Sequence, residues 1–232
     1  MKKKIVVLTG AGVSAESGLS TFRGDGGLWE GHSVMEVASP QGWSSDREMV
    51  LRFYNQRRRQ LETVEPNAAH SALAELEKKY DVQIVTQNID DLHERAGSKN
   101  ILHLHGEIKK AESTVDPSLV YDIGYKDINV GDKCEKGSQL RPHVVWFGEN
   151  VTEIPNAAQI SSTADIFIVI GTSLVIYPAA GLISYVPAEA IKYIIDPLKP
   201  ETYGYYTNLE YIVEKATIGT PKLVEELLRD TE

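Results

Sequence analysis

Three short, nearly continuous apolar runs constrain what this chain can fold into: Ile5 to Leu8, Val82 to Val85, and Ala164 to Gly171 (ADIFIVIG). Each has the length of a strand and is rich in β-branched residues. Because apolar side chains are not confined to alternate positions, each reads as a strand buried on both faces, the condition of a parallel sheet. Each run also stops at small or polar residues: Thr9-Gly10, Thr86-Gln87-Asn88-Ile89-Asp90, and Gly171-Thr172-Ser173. Tyr193-Ile194-Ile195, ending at Asp196, predicts one more strand. Between the strands the apolar spacing turns helical. Met49, Val50, Phe53, Tyr54 and Leu61 mark a helix over Ser45 to Glu62. Ala72, Leu73 and Leu76 mark another over Ala69 to Tyr80, and Pro221 to Arg229 closes the chain as a helix. Alternating strands and helices predict an α/β fold with a doubly wound, mostly parallel sheet. From Lys109 to Arg141 the periodicity fails and Gly124, Gly131 and Gly137 intervene, which predicts an inserted, irregular module.

Open sheets of this kind bind ligands beyond the carboxyl ends of their strands, so the polar run endings are the candidate site. Ile101 to Gly106 alternates as a further strand, which puts His103 and His105 on one face and ends at a glycine. Amides, a carboxylate and an imidazole would then share one crevice with Gln87, Asn88 and Asp90. A plainer reading has Asn88 and Asp90 capping the next helix and His103 as a core histidine. Gly10-Ala11-Gly12 follows the first strand like the turn of a Rossmann-like dinucleotide site. Gly10 permits a tight turn and Gly12 a close backbone approach, and the amides of a following helix would receive a pyrophosphate. The spacing departs from G-x-G-x-x-G, with Ala15 and Gly18 in place of the third glycine. Where a second strand is due, Thr21 to Trp29 reads instead as a glycine-rich ordered loop over the cofactor.

With 232 residues and 42% apolar content the chain can bury a full core. A net charge of −9 argues against a sequence-specific nucleic-acid surface, and the Arg57-Arg58-Arg59 run is too local to reverse that. The one cysteine, Cys134, forbids an internal disulfide and points to a reducing, cytoplasmic setting. Lys2-Lys3-Lys4 before Ile5 lacks the long apolar stretch and cleavage site of a signal peptide. No run approaches the roughly 18 apolar residues of a membrane span.

Six blocks in order, Gly10 to Gly18, Thr21 to Gly24, Thr86 to Asp90, His105-Gly106, Arg141 to Glu149 (RPHVVWFGE) and Gly171 to Ser173, closely resemble the sirtuins, NAD-dependent protein lysine deacylases. The resemblance implies a Rossmann-like domain of residues 1–30, 68–107 and 142–232, with a small domain from two insertions, 31–67 and 108–141. It places Gly10, Ala11, Gly12, Phe22 and Arg23 around the phosphates of NAD. It also places Gln87, Asn88 and Asp90 at the nicotinamide ribose and nicotinamide, and Gly171, Thr172, Ser173 and Asp196 toward the adenosine side. His105 matches the catalytic histidine, with Asn88 beside it. Val145, Trp146, Phe147 and Gly148 match the segment that pairs with an extended acylated-lysine peptide. The implied reaction moves an acyl group from lysine to ADP-ribose and releases nicotinamide, with a histidine as base for a ribose hydroxyl. Asp196 stands where the family usually has Asn.

Two features narrow the resemblance. Most sirtuins hold zinc with four cysteines in the inserted module, whereas Cys134 is alone here, so the module is expected to hold by packing, through Val120, Tyr121, Ile123 and Tyr125, with no metal. Tyr54 and Arg57, three residues apart on one helix face, together with Ala38, match the subclass that prefers acidic acyl groups such as succinyl and malonyl. There an Arg fork and a phenol meet a carboxylate. Alternatives of another class are a nicotinamide dehydrogenase, a protein ADP-ribosyltransferase, and a module that binds ADP-ribose or acyl-lysine without turnover. A monomer is the expected state.

Overall fold

The computed structural model describes residues 2–19, 28–29, 31–172, 177–198 and 206–229. Six parallel strands form the main sheet: β1 (Lys4–Thr9), β2 (Asp81–Thr86), β3 (Ile101–His103), β7 (Ile166–Ile170), β8 (Ile191–Ile195) and β9 (Leu209–Ile212). Their order is β9-β8-β7-β1-β2-β3. The order reverses between β1 and β7, which makes that gap the switch point where such sheets bind ligands. The strands lack alternation because both faces are covered. Ile5 and Val7 pack with α4 (Ala68–Leu76) and α7 (Ala216–Arg229), while Val6 and Leu8 pack on the opposite side, which takes in α6 (Ile154–Ser161) and the 3-10 segment Ala179–Tyr185. At about 25 cal/mol per Å² of apolar surface removed from water, this two-sided burial is the main stabilisation of the sheet.

The second sheet is antiparallel, in the order β5-β4-β6: β4 (Gly106–Ser113), β5 (Val120–Asp122) and β6 (Leu140–Val144). The expectation of an irregular module is corrected in part: turns and irregular chain make up the rest, but 10 of the 33 residues from Lys109 to Arg141 lie in the strands of this sheet. Its strands pair across long sequence separations and are only half-buried, so no periodicity announces them. The expected strand through Gly106 is corrected too. β3 ends at His103, and Gly106 opens β4 with φ +77°, where a Cβ would meet the His143 carbonyl oxygen at 2.2 Å.

Helices α1 (Val34–Val37), α2 (Pro40–Ser45) and α3 (Arg47–Thr63) lie between β1 and β2 in the chain. A third apolar cluster joins Val50, Leu51, Phe53, Tyr54 and Leu61 of α3 to Ile108, Ala111, Ile128, Val144 and Trp146. A buried polar clasp accompanies it. Arg58, fully buried, donates from Nε to the Ile108 carbonyl at 2.7 Å and from Nη1 to Asn55 Oδ1 at 2.8 Å. Asn55 in turn donates to the Ile128 carbonyl and accepts from the Ile128 amide. Of the residues expected to hold the module, Ile123 and Tyr125 pack on this cluster, but Val120 is 40% exposed and contributes little. Cys134 Sγ bonds with the hydroxyls of Ser113 and Ser138, and among the described residues no group of three His, Cys, Asp or Glu is placed to hold a metal. Among them, too, no helix is long and apolar enough to cross a membrane.

Candidate active site

The segment after β1 departs from expectation. In place of a helix it forms two 3-10 turns, Ala11–Val13 and Ala15–Ser17, ending at Gly18 with φ +98°. The backbone amides that face the crevice there belong to 3-10 turns and not to an α-helix. The glycines serve a closer contact. A Cβ on Gly10 would lie 2.7 Å from Thr172 Cβ, and one on Gly12 would lie 2.7 Å from Gly171 Cα. Gly10 N donates to Ile170 O and Gly12 N to Gly171 O, so the two strand ends at the switch point are laced together. Gly171 itself has φ +61°, a backbone shape that favours glycine. Gln87 Nε2 reaches Thr172 Oγ1 at 3.2 Å across the same gap.

Asn88 is anchored from three sides. Its amide N donates to Thr86 Oγ1 at 3.0 Å, and its Nδ2 donates to Gly10 O and Ser14 Oγ, both at 3.2 Å. Its Oδ1 has no partner among the described residues. Ser14 passes its own proton to Asp90 Oδ2 at 3.0 Å, while Asp90 Oδ1 accepts from the Leu92 amide at 3.2 Å. Asp90 thus bonds the first residue of α5 (Leu92–Ala96), whose N-cap is Asp91 and not Asp90 as the plainer reading had it, and belongs to the crevice network as well. Burial pushes the Asp90 carboxyl up from its ordinary range.

Behind this network lie residues to which the pattern of the sequence assigned no role. His70 is fully buried. Its Nδ1 accepts from the Asn67 amide at 3.2 Å, and its Nε2 stands 3.5 Å from Ser14 Oγ. His93, also buried, places Nε2 3.1 Å from Thr9 Oγ1 and stacks edgewise on His70 with ring centroids 4.8 Å apart. Thr9 gives its proton to Thr86, so His93 Nε2 carries the hydrogen. Burial lowers the His70 pKa to about 4 and that of His93 well below its ordinary value. Both are therefore neutral near pH 7. Only the short Asn67-Ala-Ala-His70 cap and the His93 position in the α5 turn signal them in the sequence.

His105 Nδ1 donates to the Gln87 carbonyl at 2.9 Å, leaving Nε2 without a partner among the described residues. Burial lowers the His105 pKa, partly opposed by that bond. The ring is thereby a neutral, oriented base. Its backbone carbonyl accepts from Val145 N at 2.9 Å, and two residues on Phe147 N donates to the Ala38 carbonyl, also at 2.9 Å. The Val145 to Gly148 segment therefore runs from His105 to Ala38. Arg141 braces it: the guanidinium forks onto Glu149, donates to Val144 O and lies 3.5 Å over the Trp146 ring. Trp146 Nε1 donates to Tyr54 Oη at 3.0 Å. Tyr54 is 1% exposed, and burial pushes its phenol pKa up. The Arg57 guanidinium lies 4.5 Å over the Trp29 ring, against which Tyr54 also packs edgewise.

Asp196 follows β8, and its Oδ1 accepts from Leu198 N at 2.9 Å. Phe22, Arg23 and Ser173 lie outside the described residues, as does most of the Thr21 to Trp29 loop.

The profile of the Sir2 family matches residues 10–178. The chain belongs to the Sir2 family. An NAD-dependent protein deacylase of Helicobacter pylori strain J99 is 53% identical over 226 residues, covering 97% of this chain and 96% of the relative. A crystal structure of a Sir2 homolog–NAD complex superposes with a TM-score of 0.88 at 38% identity, covering 100% of this chain and 91% of the other. A structure of Sir2 bound to acetylated peptide superposes with a TM-score of 0.78 at 28% identity, covering 99% and 94%. In this Sir2 chain, Gly10, Ala11, Gly12, Gln87, Asn88, Asp90, Gly171 and Thr172 gather at the switch point, with His105 on the neighbouring turn. Tyr54 is tied to the His105 side by Trp146, and Arg57 lies over Trp29. Asp196 stands at the end of the next strand.

Proposed function

We propose that this protein removes acyl groups from protein lysines with NAD, and that it accepts acidic acyl groups as well as acetyl. The observation that carries the reading is the placement of His105. One ring nitrogen is committed to Gln87 and the other has no partner among the described residues, in a turn whose backbone holds the Val145 to Gly148 edge. The donor set suits a dinucleotide: Gln87, Asn88 and Asp90 present amides and a carboxylate at the gap where Gly10 and Gly12 meet Gly171. Bound there, NAD supplies the sugar carbon that accepts the acyl oxygen and the nicotinamide that leaves.

The chain's own groups have three tasks. His105 Nε2 takes the proton of a ribose hydroxyl, since its partnered Nδ1–H fixes the neutral tautomer with the lone pair outward. Asn88, held at N and Nδ2, orients the cofactor without reorganising at the moment of reaction. The Val145 carbonyl and the Gly148 amide, without partners among the described residues, are the groups left for an added peptide strand.

For acidic acyl groups, a carboxylate at the end of the chain needs a fixed cation, because burying it unpaired costs several kcal/mol. Arg57 supplies the charge. Tyr54 accepts from Trp146 and so has its own proton to give. Mass spectrometry of succinyl-lysine and acetyl-lysine peptides with and without NAD tests the whole reading. It expects free lysine and nicotinamide only with NAD, and reduced cofactor or ADP-ribosylated peptide would overturn it.

A further inference from the structure

His103 sits two residues before His105 and repeats its bonding one residue further along the same loop. His105 Nδ1 holds the Gln87 carbonyl, and His103 Nδ1 holds the Asn88 carbonyl, each at 2.9 Å. The two rings differ at the other nitrogen. That of His105 is open, whereas His103 Nε2 meets Glu94 Oε1 of α5 at 2.8 Å. A carbonyl only accepts, and so does an ionised carboxylate, so both His103 nitrogens carry hydrogen and the ring is an imidazolium paired with Glu94. Its side chain is 10% exposed. A cavity of about 160 Å³ that His103 also lines is bordered by Asp90, Asp91, Glu94, Glu107, Lys109 and Lys110, of which the reaction above employs only Asp90.

We infer that His103 is a positioning residue of this reaction. Clamped between Glu94 and the Asn88 carbonyl, it holds the backbone from which Asn88 and Asp90 face the cofactor. The Asn88 peptide is pinned at both ends, by Thr86 Oγ1 on the amide side and by His103 on the carbonyl side. Rotation of either peptide plane would swing the Asn88 amide off Gly10 O and Ser14. The charge on His103 also favours ionised Asp90 against the cost of its burial. Burial opposes that charge on His103 itself, but Glu94, the Asn88 carbonyl and Glu107 together keep the ring's pKa raised.

The inference rests on the reading of Asn88 and Asp90 as cofactor residues, and the test separates the two. Steady-state kinetics with NAD and an acyl peptide are compared for the full chain and for His103→Ala, His103→Gln, Glu94→Ala and Asn88→Ala. Losing one charge-assisted bond to the loop is expected to raise the KM for NAD by roughly 10- to 100-fold in His103→Ala, with the peptide KM unchanged. Glu94→Ala should act in the same direction, and His103→Gln, which keeps a donor, should recover part of the loss. A merely structural role would lower melting temperature and active fraction without singling out NAD. Should His103→Ala not fold, Glu94→Ala carries the test, since its side chain is 40% exposed and leaves no buried void. An unchanged KM for NAD in the His103 and Glu94 variants, with a raised one in Asn88→Ala, overturns the inference alone. An unchanged value in Asn88→Ala as well overturns both it and the pocket assignment.

Discussion

Replacing His70 by Gln should flatten the acid destabilisation of this protein. His70 is fully buried, and its pKa is lowered to about 4 from an ordinary 6.5 by that burial. Above pH 6.5 the ring is neutral folded and unfolded, so its contribution to stability is fully present. As pH falls from 6.5 toward 4 only the unfolded chain takes up the proton, and stability is lost at close to 1.4 kcal/mol per pH unit. Integrated from pH 7.5 to 5, one such histidine removes about 2 kcal/mol. His93, shifted in the same direction by its burial, adds to the loss. Gln keeps an acceptor for the Asn67 amide and a donor toward Ser14 but does not titrate. Urea melts followed by tryptophan fluorescence at several pH values between 7.5 and 5 measure the change. The variant should lose about 2 kcal/mol less than wild type over that range, whatever its stability at pH 7.5. Equal pH dependence in both proteins would mean that His70 is hydrated or protonated in the folded state, and the buried neutral pair would be wrong.

His105→Ala should lower acyl transfer by roughly two to four powers of ten while calorimetry still detects NAD binding. In wild type the acid limb of kcat/KM should have its midpoint below 6.5, because the active form is the neutral ring and burial lowers its pKa. Arg57→Met should raise the KM for a succinyl peptide by roughly 10- to 100-fold and leave an acetyl peptide nearly unchanged, with Tyr54→Phe weaker in the same direction. Equal losses on both peptides would assign the pair to the fold. Arg58→Met should cost roughly 1–3 kcal/mol in urea unfolding, since it strands the Ile108 carbonyl in the third core. A neutral result would remove the polar clasp from what holds the second sheet.

What the sequence determined by itself was whatever burial on two faces writes into composition. Ile5 to Leu8, Val82 to Val85 and Ile166 to Ile170 are strands because a run without alternation has nowhere to put a wet face, and their polar endings marked the crevice in advance. The α3 helix and the stripe of Ala72, Leu73 and Leu76 follow from local periodicity in the same way. The tertiary structure decided what depends on distant partners. The segment after Gly10 became 3-10 turns laced to Gly171 where a helix was expected. The strands of Gly106–Ser113 and Leu140–Val144 exist because they find each other, through residues too mixed to announce it. Three like charges in a row, Arg57-Arg58-Arg59, carry no mark of their different fates: one guanidinium is exposed on Asp127, one lies over Trp29, and one is fully buried on backbone carbonyl and amide oxygens. His70 and His93 are the same case for the site. A histidine's pattern in the chain carries no record of how deep it lies, and only the packing that removes water from both rings makes them neutral supports for Ser14 and Thr9.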